Sequence, residues 1–136
     1  MFDELMISGD RLRPVDGGGV RLQARLPFYR SLPLSCIEGL ELSIDGVAPD
    51  AVDVFAGDDR YALAQISSLS DTWWFVLDAL DLEIRLPEPL EPGSHRVAMT
   101  MRFRVPHGDP DFRVGVFVQV ARCTRRMRLE PSEAPR

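Results

Sequence analysis

Apolar and polar residues alternate with a period of two along most of the chain. Val20, Leu22, Ala24, Leu26 and Phe28 are interleaved with Arg21, Gln23, Arg25, Pro27 and Tyr29. Leu40, Leu42 and Ile44 alternate with Glu41, Ser43 and Asp45, and Leu80, Leu82, Ile84 and Leu86 with Asp81, Glu83 and Arg85. Val97, Met99, Met101, Phe103 and Val105 alternate with Arg96, Ala98, Thr100, Arg102 and Arg104. Successive side chains of a strand point to opposite faces, so each run predicts a strand with one face in a core and one in water. The run from Phe112 to Ala121 is apolar on both faces apart from Arg113 and Gln119, which predicts a central strand or one covered by a partner.

Turn chemistry separates these runs. Asp16-Gly17-Gly18-Gly19 precedes the first strong strand, Asp45-Gly46 marks a tight hairpin, and Gly57-Asp58-Asp59, Pro92-Gly93-Ser94 and His107-Gly108-Asp109-Pro110-Asp111 mark further turns. Helical spacing holds nowhere over three turns, although a short helical turn fits Leu63 to Leu69. The pattern predicts an all-β fold, an antiparallel β-sandwich of about eight strands. One domain is expected over residues 1–129. The polar, proline-rich residues 130–136 are expected to fray.

Size and charge narrow the picture. A chain of 136 residues and 15.3 kDa buries about two-thirds of its unfolded surface. That builds a core without disulfides or metals. Cys36 and Cys123 are expected to be free thiols, although the sequence leaves a bond between them open. The net charge of −5 argues against a nucleic-acid partner. All 16 cationic residues are arginine, so Schiff-base chemistry and a Walker phosphate loop, which need lysine, are excluded. No apolar run approaches a membrane span, and Met1-Phe2-Asp3-Glu4 lacks the basic-then-apolar layout of a secretory signal. The expected localisation is cytoplasmic.

Candidate chemistry is sparse. His107, Asp109 and Asp111 are spaced to surround a cation, but no fourth ligand is evident and the segment reads as turn chemistry. Cys36 lies in the apolar stretch Pro33-Leu34-Ser35-Cys36-Ile37, which would raise its thiol pKa and so argues against a nucleophile. Ser94-His95 sits in a turn, and adjacency is not triad geometry. Asp58, Asp59, Asp71, Asp78, Asp81 and Glu83 show no spacing that singles out an acid–base pair. Gly17-Gly18-Gly19 leads into a strand, where a phosphate cradle needs a helix.

Two apolar features stand out. Trp73-Trp74-Phe75 in a strand puts one Trp in the core and the other outside or covered, where it suits sugar stacking or a protein interface; the alternative is that both pack inside under a loop. Leu26 to Ile37 is apolar, bounded by prolines and not alternating after Phe28. A segment of that kind on a small domain is expected to be covered. The predicted partner-facing residues are Phe28, Tyr29, Arg30, Leu32, Pro33 and Leu34, with Trp73 and Trp74 as further candidates.

The stretch Pro27-Phe28-Tyr29-Arg30-Ser31-Leu32-Pro33-Leu34-Ser35-Cys36-Ile37, followed by Leu42-Ser43-Ile44-Asp45-Gly46, resembles the β subunit of bacterial C-glycoside deglycosidases. Trp73 to Asp78, Pro92 to Val97 and Met101 to Pro106 fit the same pattern in order. The resemblance covers residues 20 to 106. It implies a β-sandwich bound to a larger TIM-barrel α subunit, which carries the catalytic groups and a divalent metal, expected to be Mn²⁺. It implies cleavage of 3-oxo-C-glycosides at or near the subunit interface by a carbon–carbon lyase. No catalytic residue is carried over to this chain. A free-standing carbohydrate-binding sandwich using Trp73 or Trp74 is the competing expectation, followed by a small β-barrel enzyme in its own right.

Overall fold

The alternating runs fold as strands whose apolar halves share one core. The computed structural model describes residues 3–28, 31–76, 78–106 and 116–130, with the backbone alone at 106, 116 and 117. Its strands are β1 (Ile7–Val15), β2 (Gly19–Arg25), β3 (Leu32–Pro33), β4 (Ile37–Ile44), β5 (Ala51–Ala56), β6 (Asp59–Ala62), β7 (Trp73–Trp74), β8 (Ala79–Arg85), β9 (Gly93–Pro106) and β10 (Val116–Leu129). Short 3₁₀ turns cover Asp3–Leu5, Leu34–Cys36 and Leu63–Ser68. Eight strands form one curled sheet in the order β4-β9-β10-β1-β2-β8-β5-β6, and β3 and β7 form a separate ribbon. The all-β expectation holds, and the helical turn expected near Leu63 is there. The fold differs from a purely antiparallel sandwich at one place: β1 and β10 run parallel.

Strand β1 was not legible as a strand, because Ser8-Gly9-Asp10 and Arg13-Pro14 break the alternation. It pairs with β2 through Ile7↔Ala24 and Ser8↔Gln23, then again through Arg13↔Arg21. Between those contacts β1 spends four residues where β2 spends one. In this wide bulge Arg11 and Leu12 turn to β10, opposite Arg128 and Leu129. Gly9 opens the bulge at φ 77°, a left-handed conformation that favours glycine. The chain then reverses through Asp16 to Gly18 into Gly19. A side chain at Gly19 would place its Cβ 2.8 Å from the Ile84 carbonyl oxygen, so the close strand approach requires glycine.

The inward faces form a single apolar cluster that includes Ile7 and Leu12 of β1, Leu22 of β2, Ile44 of β4, Val54 of β5, Ile84 of β8 and Met99 and Phe103 of β9. Phe28 meets Phe103 edge to face at 5.6 Å between ring centroids. The sheet curls until the turn Leu63–Ser68 touches both β4 and β5, with Ile66 buried beneath it. Strand β10 runs further than the apolar run predicts. Beyond Ala121 it continues to Leu129, with Cys123, Met127 and Leu129 buried. Residues 107–115, which include the predicted cation loop and the start of that run, lie outside the described residues.

Arg125 of β10 ties the N-terminal segment to the sheet. Its guanidinium donates to the carbonyls of Ile7, of Gly9 at 3.0 Å and of Glu4 at 2.7 Å. Asp3 adds an acceptor 2.9 Å from the Arg122 backbone N–H. Hydrogen bonds from a charged donor are the stronger kind. Arg125→Met is expected to cost about 2 kcal/mol and to lower Tm by about 8 °C, read by thermal denaturation. A Tm that stays within about 2 °C of wild type would show that the bulge holds without it.

Candidate functional site

Proline fixes φ, and Pro33, at φ −59° and ψ 146°, holds its part of the chain extended. This lets Leu32 and Pro33 pair as a short strand with Trp74 and Trp73. Three further bonds secure the ribbon. Leu34 N–H donates to the Thr72 carbonyl at 2.8 Å, Ser35 N–H to the Leu69 carbonyl at 3.1 Å, and Val76 N–H to Ser31 Oγ at 2.8 Å. Strand alternation then sorts the side chains. Leu32 and Trp74 face inward and are buried, and Pro33 and Trp73 face out. The indole N–H of Trp74 donates to the Asp78 carbonyl at 3.0 Å, which satisfies the one polar atom that burial would otherwise strand.

The predicted partner-facing residues thus divide. Phe28, Leu32, Leu34 and Trp74 are built into the chain's own core, where they position the ribbon. Pro33 is half-buried, and Trp73 is 48% exposed. Tyr29 and Arg30 lie outside the described residues. Phe75, two residues beyond Trp73, is 57% exposed. The sequence named Phe75 only as part of the aromatic run; its period-two spacing from Trp73 was the available signal. The ribbon continues into the sheet through Arg104, whose Nη2 donates to the Ser35 carbonyl at 2.9 Å. Glu38 lies between Arg102 and Arg104 at 3.5 and 3.7 Å. Exposed Val118 and Val120 stand opposite Arg104 and Arg102 on β10.

Elsewhere the candidate chemistry is occupied structurally. Asp53, Asp81 and Glu83 share the outer face of β5 and β8, and Glu83 is buried. Arg60 pairs with Asp53 at 2.5 Å and with Glu83, while Arg21 lies 3.8 Å from Glu83. Both guanidiniums stack on Phe55, Arg21 at 4.4 Å and Arg60 at 5.2 Å from its centroid. Cys36 and Cys123 are free and buried, and burial pushes the Cys36 thiol above its ordinary value. Clefts of about 410 Å³ at the β1 bulge and about 520 Å³ along the β4–β5 seam contain no His or Cys among their lining residues. Among the described residues no group of three or more His, Cys, Asp or Glu is placed to hold a metal ion. No helix among them is long and apolar enough to cross a membrane.

Ser94-His95 is a clamp. His95 Nδ1 lies 2.6 Å from Asp45 Oδ2 and its Nε2 lies 2.6 Å from the Glu91 carbonyl oxygen, so both ring nitrogens face acceptors. The other Asp45 oxygen accepts the Arg96 N–H at 2.8 Å. Burial opposes charge on His95, but the Asp45 hydrogen bond, the Glu91 carbonyl and the Asp45 charge outweigh it, and the pKa is raised. The His95 bond and then the Arg96 N–H hold Asp45 below the usual carboxylate range.

Fold and site together define an all-β domain that presents an aromatic ribbon at its surface. Residues 2–107 match the family described as C-glycoside deglycosidase beta subunit. The chain is 41% identical over 110 residues to the 3'-dehydrocarminate deglycosidase beta subunit of a Microbacterium species, covering 79% of this chain and 81% of that protein. It is 30% identical over 109 residues to a C-glycoside deglycosidase beta subunit of Microbacterium trichothecenolyticum, covering 79% and 82%. A similar protein of Arthrobacter globiformis is 30% identical over 92 residues, covering 66% and 70%. The chain belongs to the C-glycoside deglycosidase beta-subunit family.

The clamp sets a pH dependence. A raised histidine pKa contributes stability that is full below about 6.5 and is lost as pH rises through the folded value. A lowered Asp45 pKa contributes stability that is full above about 3.9 and is lost as pH falls through its folded value. The pair therefore acts fully between these limits. Urea midpoints are expected to fall between about pH 5.5 and pH 8.5, and His95→Asn is expected to flatten that slope. Parallel slopes for both proteins would remove His95 as the cause.

Proposed function

We propose that this chain is the small, non-catalytic subunit of a heteromeric carbon–carbon lyase that cleaves 3-oxo-C-glycosides. The observation that carries the reading is the 41% identity to a subunit whose name specifies a 3'-dehydro substrate. That no group of three or more His, Cys, Asp or Glu among the described residues is placed to hold a metal supports placing the reacting groups on another subunit. That partner is a TIM-barrel protein in this reading, and the complex is cytoplasmic.

The chemistry explains why the substrate must be oxidised first. A carbon aglycone offers no lone pair for an acid to protonate, so ordinary glycoside hydrolysis fails. A ketone at sugar C3 acidifies the proton on C2. A base on the partner removes that proton, and its bonding electrons pass into the C3 carbonyl to form an enolate. Collapse of the enolate re-forms the ketone, creates a C1–C2 double bond and breaks the C1–aglycone bond. The aglycone carbon leaves with the electron pair and takes up a proton. The net change is an elimination, with no water or redox reagent consumed. A divalent metal, which this chain's described residues do not fit, is assigned to the partner, where it would stabilise developing negative charge on oxygen.

Within this reading the ribbon is a contact for the partner. Trp73 and Phe75 supply rigid apolar area at low entropic cost, and Pro33 holds them in place. Their exposure also suits sugar stacking, which keeps the sugar-binding module as the second reading. Co-expression with a sugar-isomerase-like subunit from the same genome is expected to give a stable complex. Cleavage of a 3-oxo-C-glucoside is expected only with both chains. Trp73→Ala is expected to weaken assembly by about tenfold or more while leaving the chain's Tm within about 2 °C. Retention of full affinity and activity by Trp73→Ala would remove the ribbon from the interface. A chain that ignores every such partner but whose tryptophan fluorescence shifts on sugar titration would establish the second reading.

A further inference from the structure

Charge is segregated along this chain. Residues 45–91 hold eleven carboxylates and two arginines, a net of −9, so the rest of the molecule carries +4 of the total −5. The β9 and β10 strands contain seven arginines and no carboxylate. Arg125 is used in the N-terminal clamp. Strand alternation sends the other six, Arg96, Arg102, Arg104, Arg122, Arg126 and Arg128, to the outer face.

This face is costly for the isolated chain. Arg126 stands directly opposite Arg96, and like charges in that position destabilise a sheet. Glu38 pairs with Arg102 and Arg104, and Glu130 with Arg128; Arg126 donates to Ser94 Oγ at 3.4 Å and its charge reaches Asp45, but among the described residues Arg96, Arg122 and Arg126 make no ion pair. At one end of the same face Val118 and Val120 are 45% and 42% exposed. Arginine beside open aliphatic area is interface chemistry, since the guanidinium forks onto carboxylates and loses hydration more readily than an ammonium.

We infer that the outer face of the β9–β10 hairpin docks an acidic surface of the catalytic partner subunit, an inference that rests on the proposed function above. Two observations favour that occupant. The face is continuous with the Trp73 ribbon through the Arg104 bond to Ser35, so one partner reaches both. A second copy of this chain would bring acidic residues such as Asp53 and Asp59 from β5 and β6, at the other end of the sheet. Such head-to-tail contact forms a ring or an open filament, and nothing in the sheet limits it.

The test uses the co-expressed complex and the variant Arg122→Glu/Arg126→Glu. Wild-type assembly is expected to weaken as salt rises from about 0.05 M to about 0.5 M. The variant is expected to bind about tenfold or more weakly at low salt, with a shallower salt dependence. Its Tm is expected to stay close to wild type, because relief of the Arg96–Arg126 repulsion is offset by loss of the Arg126 bond to Ser94 and by new repulsion from Asp45 and Asp3. Trp73→Ala, by contrast, is expected to weaken binding without changing the salt slope. A variant that binds like wild type with the same slope overturns the inference while leaving the subunit reading intact. Salt-sensitive self-association of the wild-type chain alone, abolished in the variant, overturns it in favour of a second copy. A wild-type chain that forms no complex at any salt overturns both readings.

Discussion

The structure depends on how β1 divides its hydrogen bonds. A strand has two edges, and every buried backbone group on both must find a partner. At its ends β1 pairs with β2, and in its bulge it pairs with β10, so the same nine residues belong to both halves of the sheet. Without that bulge the β2-β8-β5-β6 half and the β4-β9-β10 half would each keep an open edge. The parallel ladder recorded between β1 and β10 is two residue pairs long. Arg125 extends it in effect, bonding carbonyls that a regular strand partner would otherwise take. The curl that brings the Leu63–Ser68 turn against β4 follows from this join, because a bulge bends its strand and increases the local twist.

The sequence made most of the fold legible, and the reasons for the exceptions are physical. Strands β2, β4, β8 and β9 bury one face each, so hydrophobic alternation marks them in full. β1 buries chiefly Ile7 and Leu12, five positions apart across a bulge, and no period-two template detects that spacing. The C-terminal half of β10 hides for a different reason. Its inward series passes through Cys123 and Arg125, and an arginine at an inward position reads as a break unless its carbonyl partners are known. β5 buries Val52, Val54 and Ala56 across a short run bounded by acidic turns, too brief to carry weight by pattern alone.

The site was legible in position more than in orientation. Proline spacing and the aromatic run locate the ribbon, yet which side chains face out is set by a register that only pairing fixes. Leu32 opposite Trp74 sends that pair inward, and Pro33 opposite Trp73 sends the next pair outward. One residue of slip would exchange the two tryptophans. The Asp78 carbonyl that receives the Trp74 indole and the Ser31 hydroxyl that receives the Val76 amide both oppose such a slip. The apolar residues whose sequence calls for an external cover are largely covered by the chain itself, and what they hold in place is the small remainder that is not.

Net charge concealed the other surface feature. A total of −5 describes a chain with a strongly acidic middle and a basic terminal hairpin, and its sign says little about any one face. Folding alone gives no reason to set Arg126 against Arg96, because a carboxylate at either position would improve the ladder. Local choices that oppose stability concentrate where a protein serves something outside itself. The buried Glu83, held by Arg60 and flanked by Arg21, shows the contrasting case on the same molecule. There the charges meet within the chain, whereas on the β9–β10 face Arg96, Arg122 and Arg126 have no ion-pair partner among the described residues. The difference between a neutralised cluster and an unneutralised one separates, on this small domain, the charge used for folding from the charge left for a partner.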